Sequence, residues 1–194
     1  MGAFLATAAA VFGVLAAPTP GPVTIRDDAD GFSVAVPAGW TQEPIPYGSK
    51  QARALMRGPD YDKTRASCYV TVDHYTAVGL SQAALNETIR RGALMHARTR
   101  AAKGGLTVQN GKVIPFADGI VATAMEGTIR FDHLLGLYKT TGRYKSLAVM
   151  IPNYSYMATC AAEQHDYPGH REAFDRIIAS FKLVPVTSMG FEPK

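Results

Sequence analysis

The chain has 194 residues, 47% of them hydrophobic, and a formal net charge of +4. That much apolar material supports one well-buried core and is short for two. Twelve prolines and eighteen glycines are spread along the chain, which argues against a low-complexity tail, and no internal repeat is present.

Phe4 to Ala17 carries no charge and is rich in Ala, Leu, Val and Phe. It is too short to span a bilayer as a helix but suits the apolar region of a signal peptide, with cleavage expected near Ala16/Ala17. No Lys or Arg precedes it, and a buried N-terminal helix is the alternative. No cysteine follows to carry a lipid anchor. Residues 1–17 are therefore expected to be a signal peptide and 18–30 a Pro/Gly-rich linker. Residues 31–184 are expected to form a single α+β domain, and 185–194 a C-terminal tail.

Within the domain, Phe32, Val34 and Val36 alternate with Ser33 and Ala35, the period of a half-buried strand. Pro37-Ala38-Gly39 closes it ahead of the only tryptophan, Trp40. Residues 41–51 read as an irregular loop, 52–57 as a strand broken by Gly58-Pro59-Asp60, and 67–75 as another strand. That last strand places Cys68, Val70, Val72 and His74 on one face and Tyr69, Thr71, Asp73 and Tyr75 on the other. Ser81 predicts the cap of a long helix over 81–103, whose inward stripe is Leu85, Ile89, Ala93 and His96.

An antiparallel meander is expected next. Asn110-Gly111 predicts a hairpin between 106–109 and 112–116, and Asp118-Gly119 a turn before a long strand at 120–131. Gly142-Arg143 is expected to join strands 134–141 and 144–151, and Pro152-Asn153 to turn into strand 154–161. Pro168 opens a final helix with Phe174, Ile177, Ile178 and Phe181 inward. Strands, helix, strands, helix is the order of an antiparallel β-sheet flanked by helices.

Cys68 and Cys160 are the only cysteines, and an even count in an exported chain predicts a disulfide; two reduced cysteines in neighbouring core strands are the alternative. The long helix carries Arg90, Arg91, Arg98, Arg100 and Lys103 against Glu87. Arg90, Arg91 and Arg98 on one face are a candidate patch for an anionic partner, or simply a solvated face. Export, and the lack of aromatic residues among those arginines, speak against nucleic acid.

Glu163 to Glu172 is the densest polar stretch. His165 and His170, with Glu163 or Asp166, include ligand types that a divalent transition metal accepts. The spacing departs from His-x-x-x-His, and Pro168-Gly169 intervenes, so a polar loop with Asp166 capping the last helix competes with it. His74 and His96 read as hydrogen-bonded histidines at the core edge, and His133 as a turn residue. No Gly-x-Ser-x-Gly or Cys-x-x-Cys occurs, so no catalytic residue and no cofactor is predicted. Tyr138, Tyr144, Tyr154 and Tyr156, with Tyr69 and Tyr75, suit a half-buried sheet or the mouth of a cleft.

Three features together resemble the Mog1/PsbP-like α/β/α sandwich and its exported bacterial members: Gly31-Phe32-Ser33-Val34-Ala35-Val36-Pro37-Ala38-Gly39-Trp40, one mid-chain helix before a meander, and the closing Ile177-Ile178-Ala179-Ser180-Phe181. Proteins of that fold include extrinsic photosystem subunits, a partner of a nuclear-transport GTPase, envelope proteins and secretion chaperones. The resemblance implies a non-enzymatic accessory or binding module, and the apolar leader a periplasmic or secreted protein that is not integral to the membrane. Its partner would be a protein, a lipid or a cell-wall component. It supplies no residue roles. A metal-dependent enzyme or metal-binding protein using the His165/His170 cluster is the alternative.

Overall fold

The computed structural model describes residues 21–46, 51–74, 80–103, 106–133 and 138–185, with side chains outside 93–103, 132–133 and 138–139. The expected signal peptide, and the tail beyond Pro185, lie outside the described residues. Strands β1 (Val23–Asp27) and β2 (Phe32–Val36) form an antiparallel pair. β1 occupies much of the expected linker: Ile25 alternates into the core opposite Val34, a signal hidden by Thr24 and Arg26 on either side. In the following turn Gly39 has φ 82°, a conformation that favours glycine, and the Trp40 N–H closes on the Pro37 carbonyl.

β3 (Thr41–Gln42), β4 (Ala52–Arg57), α1 (Tyr61–Thr64) and β5 (Ser67–His74) follow. The alternation expected in β5 is present, with Cys68, Val70 and Val72 buried. α1 follows the break at Gly58-Pro59-Asp60, in a stretch for which no element is expected. Its Tyr61 ring lies beneath the guanidinium groups of Arg57 and Arg65, at 4.3 and 5.5 Å.

α2 (Gln82–Lys103) starts where expected, with the Ser81 hydroxyl accepting the Ala84 N–H at 3.3 Å. Leu85 and Ile89 are buried, and so is Asn86. The Asn86 amide donates to the Gly119 carbonyl at 2.7 Å, and its oxygen accepts the Val121 N–H and the Gln82 amide. One polar side chain thus ties α2 to the start of the next hairpin.

The meander comprises β6 (Leu106–Pro115), β7 (Val121–His133), β8 (Tyr138–Ile151) and β9 (Tyr154–Glu163). Two expected turns do not exist. Asn110-Gly111 lies within β6, opposite Glu126 and Met125, beside a bulge between Val108 and Asn110; neither residue has a positive φ. Gly142-Arg143 lies within β8, opposite Ile129 and Thr128. A Cβ at Gly142 would collide with the Phe131 ring and the Ala162 carbonyl, so glycine serves a close approach there. The real turn is Asp118-Gly119, with φ 49° and 74°.

α3 (Tyr167–Ser180) and β10 (Lys182–Leu183) close the chain. The large sheet has order β3-β4-β5-β9-β8-β7-β6, all antiparallel, and the small one β1-β2-β10. The main core joins Phe32, Val34 and Val36 of the small sheet to Trp40, Met56, Val70, Tyr156, Phe174, Ile177 and Phe181. A second cluster on the opposite face holds Met125, Tyr144 and Ala161. Along β7 the positions facing that cluster, Val121, Thr123, Met125 and Gly127, are buried, and α2 packs against β6, β7 and β8. The result is an α+β sandwich.

Candidate functional site

β5 and β9 bring Cys68 and Cys160 opposite each other in register, buried and joined by a disulfide. The bond spans 92 residues of sequence. It occupies the seam where the N-terminal strands meet the meander.

The polar stretch after β9 is divided. Glu163, His165 and Asp166 hold potential ligand atoms within 4.8 Å of one another. His165 is 75% exposed and lies 3.0 Å from Asp166, while Glu163 accepts a 3.4 Å hydrogen bond from the Thr140 hydroxyl. His170 is not part of this group. One turn into α3, it stacks on Phe174 and meets the Trp40 ring edge-on, at 6.0 and 6.3 Å between centroids. Asp166 occupies the N-cap position of α3, but its side chain makes no cap hydrogen bond.

On α2, Arg90 is exposed, and Arg91 pairs with Glu87 one turn earlier at 2.6 Å. The Arg98 side chain lies outside the described residues, as do those of His96 and His133.

Sequence reasoning missed the node around Asp30. Its carboxylate is 11% exposed, paired with Arg53 Nε of β4 and 2.9 Å from His74 Nε2 of β5. Its carbonyl accepts the Tyr156 hydroxyl at 2.9 Å, and its N–H donates to Asp27. His74 packs on Tyr154 at 4.8 Å, and Tyr154 stacks on Tyr156. Burial, then the charges of Tyr154, Asp30 and Asp27 if ionised, push the Tyr156 phenol far above its usual range, so it remains a neutral donor. An aspartate–imidazole contact also orients histidine bases in enzymes. Here the aspartate additionally binds Arg53, and the group ties the β1–β2 turn to β4, β5 and β9. Asp30 looked like linker because its partners lie 23, 44 and 126 residues away.

A second polar node sits on β8. Lys145 pairs with Asp175 of α3 and lies 3.5 Å from Glu126 of β7. Burial pulls the ammonium pKa down, but Asp175 and Glu126 outweigh it and the net shift is upward. Two residues before it, the Arg143 guanidinium lies 4.9 Å above the Tyr167 ring. On the α2 side of the sheet, burial raises the phenols of Tyr69 and Tyr144; Thr159 partly offsets this at Tyr69, and Tyr69 adds to it at Tyr144.

No family model matches the chain, and no curated protein matches it. Solved structures do. The cyanobacterial PsbP protein CyanoP of Synechocystis sp. PCC 6803 superposes with a TM-score of 0.54 at 12% identity, covering 90% of this chain and 98% of its own. The fold is PsbP/Mog1-like. LpqN of Mycobacterium tuberculosis, a protein involved in cell envelope biogenesis, superposes at 0.53 with 13% identity, over 84% of this chain and 91% of its own. At these identities the likeness concerns the fold. Among the described residues no helix is long and apolar enough to cross a membrane.

Proposed function

We propose that this chain is an exported, non-catalytic binding module of the bacterial envelope. The observation that carries the reading is the buried Cys68–Cys160 bond, because such bonds form and persist in oxidising compartments. The fold shared with CyanoP and with the envelope protein LpqN supports it. So does the way the Asp30 carboxylate and His74 are engaged in joining strands. In this reading Arg90, Arg91 and Arg98 are a contact face for an anionic partner. Denaturing mass spectrometry of the protein expressed with its leader is the test. A chain shortened near Ala17 and two hydrogens lighter than its reduced form is expected; an unprocessed, reduced chain overturns export.

The convergence of Glu163, His165 and Asp166 favours a second reading, a surface site for a divalent transition metal. Calorimetric titration with zinc should then give a saturable signal that His165→Ala abolishes and His170→Ala leaves intact. No signal in the wild type removes it.

A further inference from the structure

The face of the large sheet that carries α3 is covered along only part of its width. α3 packs against β8 and β9 and against β2 of the small sheet. Beside it, the same face of β6 and β7 continues without a covering element among the described residues. Along β7, Ala122 is fully buried, Ala124, Glu126 and Thr128 are half-buried, and Arg130 is exposed. The register places Lys112 of β6 opposite Ala124, Thr128 opposite Arg143 of β8, and Arg130 opposite Thr141. The outcome is a shelf floored by strands and walled by α3.

Its charges are unevenly matched. Lys145, at the foot of the wall, is held by both Glu126 and Asp175. Lys112, Arg130 and Arg143 make no ion pair among the described residues, nor does exposed Arg171, one helical turn before Asp175. Asp132 and Lys139 are register partners beyond Arg130, of opposite sign. The Arg143 guanidinium lies over the Tyr167 ring, which does not neutralise its charge.

We propose that this shelf binds an extended acidic segment of a partner protein. The inference rests on the binding-module reading and names a surface and partner class for it, on the opposite side of the sheet from α2. Arg130 and Arg143 are diagonal neighbours, which sets them about 7–8 Å apart. Alternate side chains of an extended peptide are about 7 Å apart, so successive same-side carboxylates match the spacing of the two arginine positions on the sheet. Glu126 and Asp175 interrupt the positive field between Lys112 and Arg143. They favour a chain with gaps between its acidic residues over a uniformly charged phosphate polymer or an anionic bilayer.

Fluorescence anisotropy with a labelled peptide of alternating Glu and Ser tests this, beside polyphosphate and phosphatidylglycerol vesicles. Saturable peptide binding is expected, weakened at least about tenfold by Lys112→Glu with Arg130→Glu at an unchanged urea midpoint. Lys63→Glu, on exposed α1 beside the β4/β5 end of the large sheet, should leave it unaltered. Arg143→Ala should weaken binding as well, and the pair of exposed reversals keeps the test decisive if that variant is unstable. Absence of peptide binding, or binding that survives the double reversal, overturns the proposal. Tighter binding of polyphosphate or vesicles, lost with the same reversal, overturns it in favour of that partner class. The two readings fail separately. An oxidised, processed chain that ignores the peptide sinks the shelf alone, and a reduced, unprocessed chain sinks the envelope reading whatever the peptide does.

Discussion

The α3 side of the large sheet has two halves that share a backbone geometry and differ in what covers them. Over β5 and β9 the strands present Val70, Val72, Tyr156 and Cys160 to the small sheet and α3, with Phe174 and Phe181 between the layers. Over β6 and β7 they present exposed Lys112 and Arg130, with Glu126 and Thr128 half-buried. Lys145 with its two carboxylates marks the border. The difference shows how one sheet divides its work. The covered half supplies stability through apolar burial, while the open half is free to carry charge because little packing depends on it.

Substitutions should therefore lose effect in order from the covered half to the open one. Phe174→Ala empties a fully buried site against Trp40, Tyr167 and His170, and should cost about 3–5 kcal/mol in urea unfolding. A cost below about 1 kcal/mol would show that α3 is not part of the core. Reduction of Cys68–Cys160 releases a loop of 92 residues and should lower stability by up to about 4 kcal/mol, read as a shift in the urea midpoint with reductant. No shift, with two titratable thiols in the unfolded, non-reduced protein, would contradict the bond.

At the border the expected change is smaller and depends on pH. Lys145 has a folded pKa above its unfolded value, so its contribution is fully present below about pH 10 and disappears as pH rises through the folded value. Tyr156 acts in the same direction, since its neutral form is favoured in the fold. Urea midpoints should hold from pH 7 to 9 and fall above about pH 10, with tyrosinate absorbance rising as the chain unfolds. Lys145→Ala should cost about 1 kcal/mol at pH 7 and flatten that alkaline fall. On the shelf itself Arg130→Ala should change stability by less than about 0.5 kcal/mol. A larger loss would mean that the open half is structural after all.

Most of the covered half was legible in the sequence. Period-two alternation identified β2 and β5, and the Phe174/Ile177/Phe181 spacing identified α3, because burial leaves a period in the residues it selects. The meander was harder to parse. Asp118-Gly119 and Asn110-Gly111 are nearly the same signal, yet only the first adopts the positive φ pair. β6 absorbs the second with a bulge, since pairing with a thirteen-residue β7 outweighs a local turn preference. Gly142 misled for a related reason: a glycine required by a neighbouring ring looks the same as one required by a turn. For the sites, chain proximity was a poor guide. His165 and His170 are five positions apart and separate onto different surroundings, whereas Asp30, Arg53 and His74 meet from three elements. The shelf left no local pattern, because its cations come from β6, β7, β8 and α3 and meet only through register.

The Cys68–Cys160 bond has one further consequence. Among the described residues, β5 and β9 form the only strand pairing that joins β3–β5 to β6–β9, and the bond sits within it. If the ends of the domain are pulled apart, the strands outside the two cysteines can peel, but the 92-residue span between them cannot be drawn out while the link is intact. The binding module proposed above would meet that kind of load if it were tethered to a partner. The oxidised domain would release only the chain outside the two cysteines, and the reduced one its whole length.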